Sequence, residues 1–134
     1  MKKLLFTVLL TVATLQATEY KAIFDLTTSF STTVENRVLH NINGLKHHYT
    51  KTGDTFKAAV IISGGAYEYF EKDSEIKDIA IDISKVATVE VCSVGMRKRN
   101  IKKSDMLPFV IPAFNKTEAL IRYQNQGYAY IPVQ

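Results

Sequence analysis

Strand-like runs alternating with helical stretches place this chain in the α/β class, as a three-layer α/β/α sandwich around a mostly parallel five-stranded sheet. Three observations carry that expectation. Five short runs are rich in Val, Ile, Phe and Tyr, and several are near-continuously apolar, as in strands covered on both faces. The stretches between them carry apolar residues three and four apart, which line one face of a helix. The length of 134 residues suits one domain, without an internal repeat or a dividing linker.

The elements follow in chain order. Tyr20–Leu26 reads as the first strand. Val34, Val38, Ile42, Leu45 and Tyr49 then mark a helix from Thr33 to Tyr49, capped by Ser31 or Thr32, with Glu35 in its first turn and Gly53 beyond its end. Phe56–Ser63 is the second strand, followed by the Gly64-Gly65 turn and a short helix over Tyr67–Lys72. Ile76, Ile79, Ala80, Ile83 and Val86 form another helical stripe, preceded by Asp73-Ser74 as caps. Thr88–Val94 is the third strand, with a turn at Gly95 and a helical turn over Met96–Asn100. Phe109–Pro112 is the fourth strand. Asn115 caps a last helix with Ala119, Leu120 and Tyr123 inward, Gly127 closes it, and Tyr128–Pro132 is the fifth strand.

The amino terminus reads as an address. Met1-Lys2-Lys3 is basic, Leu4–Ala13 is apolar and uncharged, and Thr14-Leu15-Gln16-Ala17 ends in a small residue. This is the order of a secretory signal peptide, and the apolar run is short of the roughly 20 residues that span a bilayer. The expected organisation is therefore a signal over 1–17, a single domain over 18–134, a periplasmic or otherwise exported location, and no stable membrane span after cleavage. Without Lys2 and Lys3 the 17 basic side chains become 15 against 13 acidic, and the net charge drops from +4 to +2. The mild charge and a basic run without interleaved aromatics, Arg97–Lys103, argue against nucleic acid as a partner.

The single cysteine excludes an intrachain disulfide. His40, His47 and His48 lack metal-ligand spacing, and Gly64-Gly65 lacks the pattern of a nucleotide loop, so no metal and no cofactor are expected. No Ser-His-Asp order points to a hydrolase.

Chemistry in such a fold gathers where strands end and loops lead into helices. Cys92 lies late in the third strand, with Gly95 after it and Arg97, Lys98 and Arg99 close in sequence. Cationic neighbours favour a thiolate and would hold an anionic sulfur species, whereas a small buried hydrophobe is the bland alternative. Arg97 and Arg99 are candidate anion-stabilising groups, and backbone N–H groups after Gly95 are candidate donors. Gly64 and Gly65 are expected where backbone passes close to the Cys92 loop, and Asp25, at the end of strand one, is a candidate orienting group. Tyr67, Tyr69 and Phe70 read as an oligomer contact or as core.

These pieces together resemble the DsrE/DsrF-like family, sulfur-relay α/β proteins that include the Tus-type carriers. The likeness rests on Lys21–Leu26, on Val60–Gly65, on Val89–Ile101 around Cys92, and on Leu107-Pro108, Val110–Pro112, Glu118–Ile121 and Gln126–Ile131. Val94 and Gly95 stand where members often have Asn and Thr. The resemblance implies homo- or hetero-oligomers and, through Cys92, a persulfide carrier that meets a sulfur-donor or acceptor protein or a small sulfur anion. It also implies the alternative of a non-catalytic assembly subunit with a buried, inert Cys92.

Overall fold

The computed structural model describes residues 16–28 and 32–133. Most of the expected signal, residues 1–15, and the expected cap Ser31 lie outside the described residues. Among the described residues, no helix is long and apolar enough to cross a membrane.

The sheet has five strands, all parallel: β1 (Glu19–Leu26), β2 (Thr55–Ile62), β3 (Ala87–Cys92), β4 (Ile111–Ala113) and β5 (Ala129–Val133). Their spatial order is β4-β3-β2-β1-β5. The helices are α1 (Thr32–Lys51), α2 (Lys77–Ser84), α3 (Ser93–Lys98) and α4 (Lys116–Asn125), with 3-10 segments at Gly64–Phe70 and Lys103–Asp105. The first four strands step across the sheet in one direction, and the last connection returns over it to place β5 beside β1. Parallel neighbours need such crossovers, and reversing their direction sends the last helix to the opposite face.

Alternation along the strands therefore feeds two separate cores. Phe24, Leu26, Val60, Ile62, Val89 and Val91 pack with Val38 and Ile42 of α1 and Ile83 of α2. Ile23, Ala59, Ile61 and Ala113 pack with Ala119 and Tyr123 of α4 alone. The apolar spacing of α1 thus does what its periodicity predicts. Asn115 accepts a hydrogen bond from the Glu118 amide at 2.7 Å, so the expected cap of α4 is present. Gly127, at φ +86°, closes that helix.

Three expectations change. The caps at Asp73-Ser74 precede a turn instead of a helix, because α2 starts only at Lys77 and Ser74 Oγ accepts from the Ile76 amide at 3.4 Å. The short helix expected over Tyr67–Lys72 is a 3-10 segment beginning at Gly64, and its Tyr67, Tyr69 and Phe70 take the core role, the second of the two expected for them. The third strand ends at Cys92, and Gly95 lies within α3 instead of in a turn before it. The actual stop of that helix is Asn100, at φ +56°. Its N–H donates to the Arg97 carbonyl at 3.2 Å, and the Ile101 N–H reaches Met96 at 2.9 Å. That pairing is a Schellman closure, with Asn where Gly usually stands.

The strip joining the 3-10 segment to the second crossover carries an acidic excess. Burial first, then the charges of Glu68, Asp105 and Asp73, raise the Glu71 carboxyl above its usual range. A carboxyl raised on folding contributes stability below its unfolded pKa and loses it as pH rises through the folded value. At neutral pH the ionised form is therefore a liability. Glu71→Gln is expected to raise the melting temperature by on the order of one or two degrees at pH 7 and to lose that advantage near pH 4. Thermal unfolding at the two pH values checks this, and a lower Tm at pH 7 would contradict it.

Candidate functional site

The carboxyl ends of β3 and β4 form the switch point of this sheet. After β3 the chain turns into α3, whose Met96 joins the core under α1 and α2, while after β4 it turns into α4 on the other face. Adjacent strands whose connections part to opposite faces leave a crevice outside their ends. Cys92 is the last residue of β3, paired in register with Ala113 at the end of β4, and is partly exposed. It is also the residue from which α3 starts, with φ −69° and ψ 105°.

Tyr67 reaches this junction from the 3-10 segment. Its hydroxyl donates to the Cys92 carbonyl at 2.8 Å, while its ring is 1% exposed. Burial chiefly, then the charge of Cys92 and a hydrogen bond with its side chain, push the phenol above its ordinary range, with Arg99 pulling the other way. Arg99 lies over the Tyr67 ring at 5.4 Å from its centroid. Gly95 makes room for the phenol: a Cβ there would fall 1.9 Å from the Tyr67 hydroxyl. Cys92, Gly95 and Arg99 thus all lie against a tyrosine that the sequence reads as an oligomer contact or as core.

The remaining candidates divide. Arg97 is an exposed residue in the last turn of α3. Gly64 and Gly65 do not serve the Cys92 loop; they lie against the end of β1. Gly65 N–H donates to the Thr27 carbonyl at 3.1 Å, and Gly64, at φ +60°, would place a Cβ 2.5 Å from that same oxygen. Because α3 begins at Ser93, donors after Gly95 belong to its second turn, and the amides nearest Cys92 precede Gly95.

Asp25 lies in a separate hydrogen-bond network. It is 5% exposed and accepts from Tyr130 at 2.9 Å and from Thr27 at 3.0 Å, and it pairs with Lys116 at 3.0 Å. Lys116 also donates to Thr27 Oγ1 at 3.2 Å, and Ser63 donates weakly to the same oxygen at 3.4 Å. The hydrogen bond to Asp25 is the main reason the Tyr130 phenol lies above its usual range. The network ties β1 to β5 and to the first turn of α4.

A second buried carboxylate, Glu90, lies two residues before Cys92. Arg122 clasps it with two hydrogen bonds, at 2.6 and 3.2 Å, and Tyr123 donates to it at 2.7 Å. Arg122 also bonds Glu118 at 3.0 Å, and these two carboxylates raise the guanidinium's pKa. Burial first, and then the bond to Glu90, raise Tyr123. A lone Glu within the apolar run Thr88–Val91 was the available signal for a buried ion pair. Among the described residues there is no group of three or more His, Cys, Asp or Glu placed to hold a metal ion.

Comparison with known proteins bears on this arrangement in two ways. The solved structure of MTH1491, a protein of unknown function from Methanobacterium thermoautotrophicum, is similar to the chain with a TM-score of 0.74 and 18% identity, over 84% of this chain and 98% of that one. At that identity the likeness establishes the α/β fold alone. No curated protein matches the chain. The DsrE/DsrF-like family model matches residues 77–133, a stretch that runs from α2 through Cys92 to the end of β5. Over residues 77–133 the chain is similar to the DsrE/DsrF-like family, and its α/β fold is similar to that of MTH1491.

Proposed function

We propose that the protein is an exported sulfur carrier in which Cys92 holds sulfane sulfur as a persulfide and passes it to a partner thiol. The observation that carries this reading is the place of Cys92: partly exposed, at the switch point, with α3 starting beside it and Arg99 on the ring of the tyrosine bonded to it. With thiosulfate as donor, the Cys92 thiolate attacks the outer sulfur. An S–S bond to Cys92 forms, the bond to the sulfonate sulfur breaks, and its electron pair leaves with sulfite. In the second step a partner thiolate attacks the outer sulfur of Cys92-S-S⁻ and regenerates the Cys92 thiolate. Cations and oriented amides would stabilise the anion in both steps. The basic, apolar, small-residue order of residues 1–17 supports export.

A second reading, an assembly subunit without sulfur chemistry, is favoured by exposed Phe114, Ile111 and Ile121, at 70%, 50% and 55%, on β4, α4 and the link between them. One experiment separates the readings. Protein incubated with thiosulfate or polysulfide is expected to gain about 32 Da, one sulfur atom, in its intact mass, and Cys92→Ala is expected to gain nothing. Absence of the adduct, with a native thiol inert to alkylating reagents, would leave the assembly reading standing.

A further inference from the structure

We infer that Tyr67 is the positioning residue of Cys92, holding the backbone at the β3–α3 junction through the Cys92 carbonyl and swinging that single hydroxyl hydrogen bond onto the Cys92 sulfur when the sulfur is anionic. The inference rests on the proposed role of Cys92 as the sulfur acceptor and adds the group that prepares it.

Three observations converge. The hydroxyl is bonded to the Cys92 carbonyl at 2.8 Å, which fixes the last strand residue where the chain turns into α3. Gly95 lacks the Cβ that would occupy the hydroxyl's position, so the helix is shaped to admit the phenol. Arg99 covers the ring, placing a formal cation against the same side chain.

The electrostatics fit the role. Burial raises the phenol above its ordinary range, so it remains a donor across the range in which cysteine thiols ordinarily ionise. Among the charged and titratable groups around Cys92, the 3-10 segment supplies Tyr67; α3 and its end supply Arg97, Lys98 and Arg99. Glu90 on β3 itself is paired with Arg122, and the register neighbour Ala113 carries no titratable group. On β1 the nearest carboxylate, Asp25, is already paired with Lys116. Tyr67 is therefore the neutral donor among cations. A neutral donor stabilises a thiolate or perthiolate by directed hydrogen bonding, independently of salt.

The test is the pH profile of Cys92 alkylation by iodoacetamide, followed by intact mass, with folding checked by circular dichroism. Tyr67→Phe keeps the ring and removes the donor. Its alkylation rate at pH 7 is expected to fall about tenfold, with the rate–pH curve displaced to higher pH, because a hydrogen bond to a charged acceptor is lost. Gly95→Ala retains the Tyr67 hydroxyl but displaces it from the Cys92 carbonyl, and a shift in the same direction is expected. That variant carries the test if Tyr67→Phe does not fold. Tyr49→Phe, in the aromatic stack with Tyr20 at the opposite end of the sheet, should match wild type. Curves for the folded variants superimposable on wild type would overturn the inference. Sulfur loading of the wild-type protein is measured in parallel. Loading with unshifted alkylation curves rejects Tyr67 alone, and shifted curves without loading reject the carrier reading alone.

Discussion

Arg122→Ala is expected to lower the stability of the domain by about 3 kcal/mol, or on the order of 10 °C in melting temperature. The physical reason lies with its partner. Glu90 is 6% exposed on a central strand, and Arg122 supplies two of the three hydrogen bonds that keep its charge tolerable there. Removing the guanidinium leaves a buried carboxylate with Tyr123 alone. The figure sits at the low end for a broken buried pair, because the Arg122 side chain is itself 37% exposed and water can enter the space it vacates. Replacing both partners by Leu should cost less than Arg122→Ala, since no charge is then stranded. Equilibrium unfolding in urea measures both. A loss under 1 kcal/mol for Arg122→Ala, or a double variant worse than the single, would show that the pair does not hold α4 to the sheet as described.

Gly64→Ala should cost about 2–4 kcal/mol, and Gly127→Ala roughly 1 kcal/mol, although both glycines have positive φ. The left-handed conformation penalises any side chain at either position. At Gly127 nothing lies within 4 Å of an added Cβ, so the conformational cost stands alone. At Gly64 the Cβ would also meet the Thr27 carbonyl oxygen at 2.5 Å, and that oxygen is backbone, already accepting from Gly65. It cannot move aside as a flexible side chain would. The difference between the two variants, read from matched urea titrations, therefore isolates the close approach of the glycine turn to β1. Equal costs would mean the turn relaxes away from Thr27 without penalty.

The fold was largely legible because its signals are long or repeated. Val34, Val38 and Ile42 recur over several turns, and the apolar runs at Ala58–Ile62 and Val89–Val91 have no polar face to confuse their reading, Glu90 excepted. Short elements were less legible. Ser93–Lys98 is a single short helix whose stop is an Asn, and a Gly within it suggests a turn when propensity alone is considered. Only the phenol packed against Gly95 explains the glycine, and Tyr67 lies 28 positions earlier in the sequence. The candidate site divided along the same line. The place of Cys92 at the end of a strand was legible, whereas Tyr67 reads as one apolar aromatic among Tyr69 and Phe70. Asp25 could be suspected, but Lys116 and Tyr130 are partners that only the return of the last crossover brings to it.

That return crossover also imposes an order on folding. β1 through β4 can zip in sequence, each new strand finding the edge of the last, with α1 and α2 covering one face as they form. The other face stays bare until α4 arrives, and β1 keeps an open edge until β5 pairs with it across more than a hundred residues. Ile23 and Ile61 face solvent for that interval, and the Asp25 and Glu90 carboxylates remain without Lys116 and Arg122. The late, long-range closure of residues 116–133 makes the partly assembled chain slow to finish and sticky while it waits, so it is the species with most to gain from a chaperone.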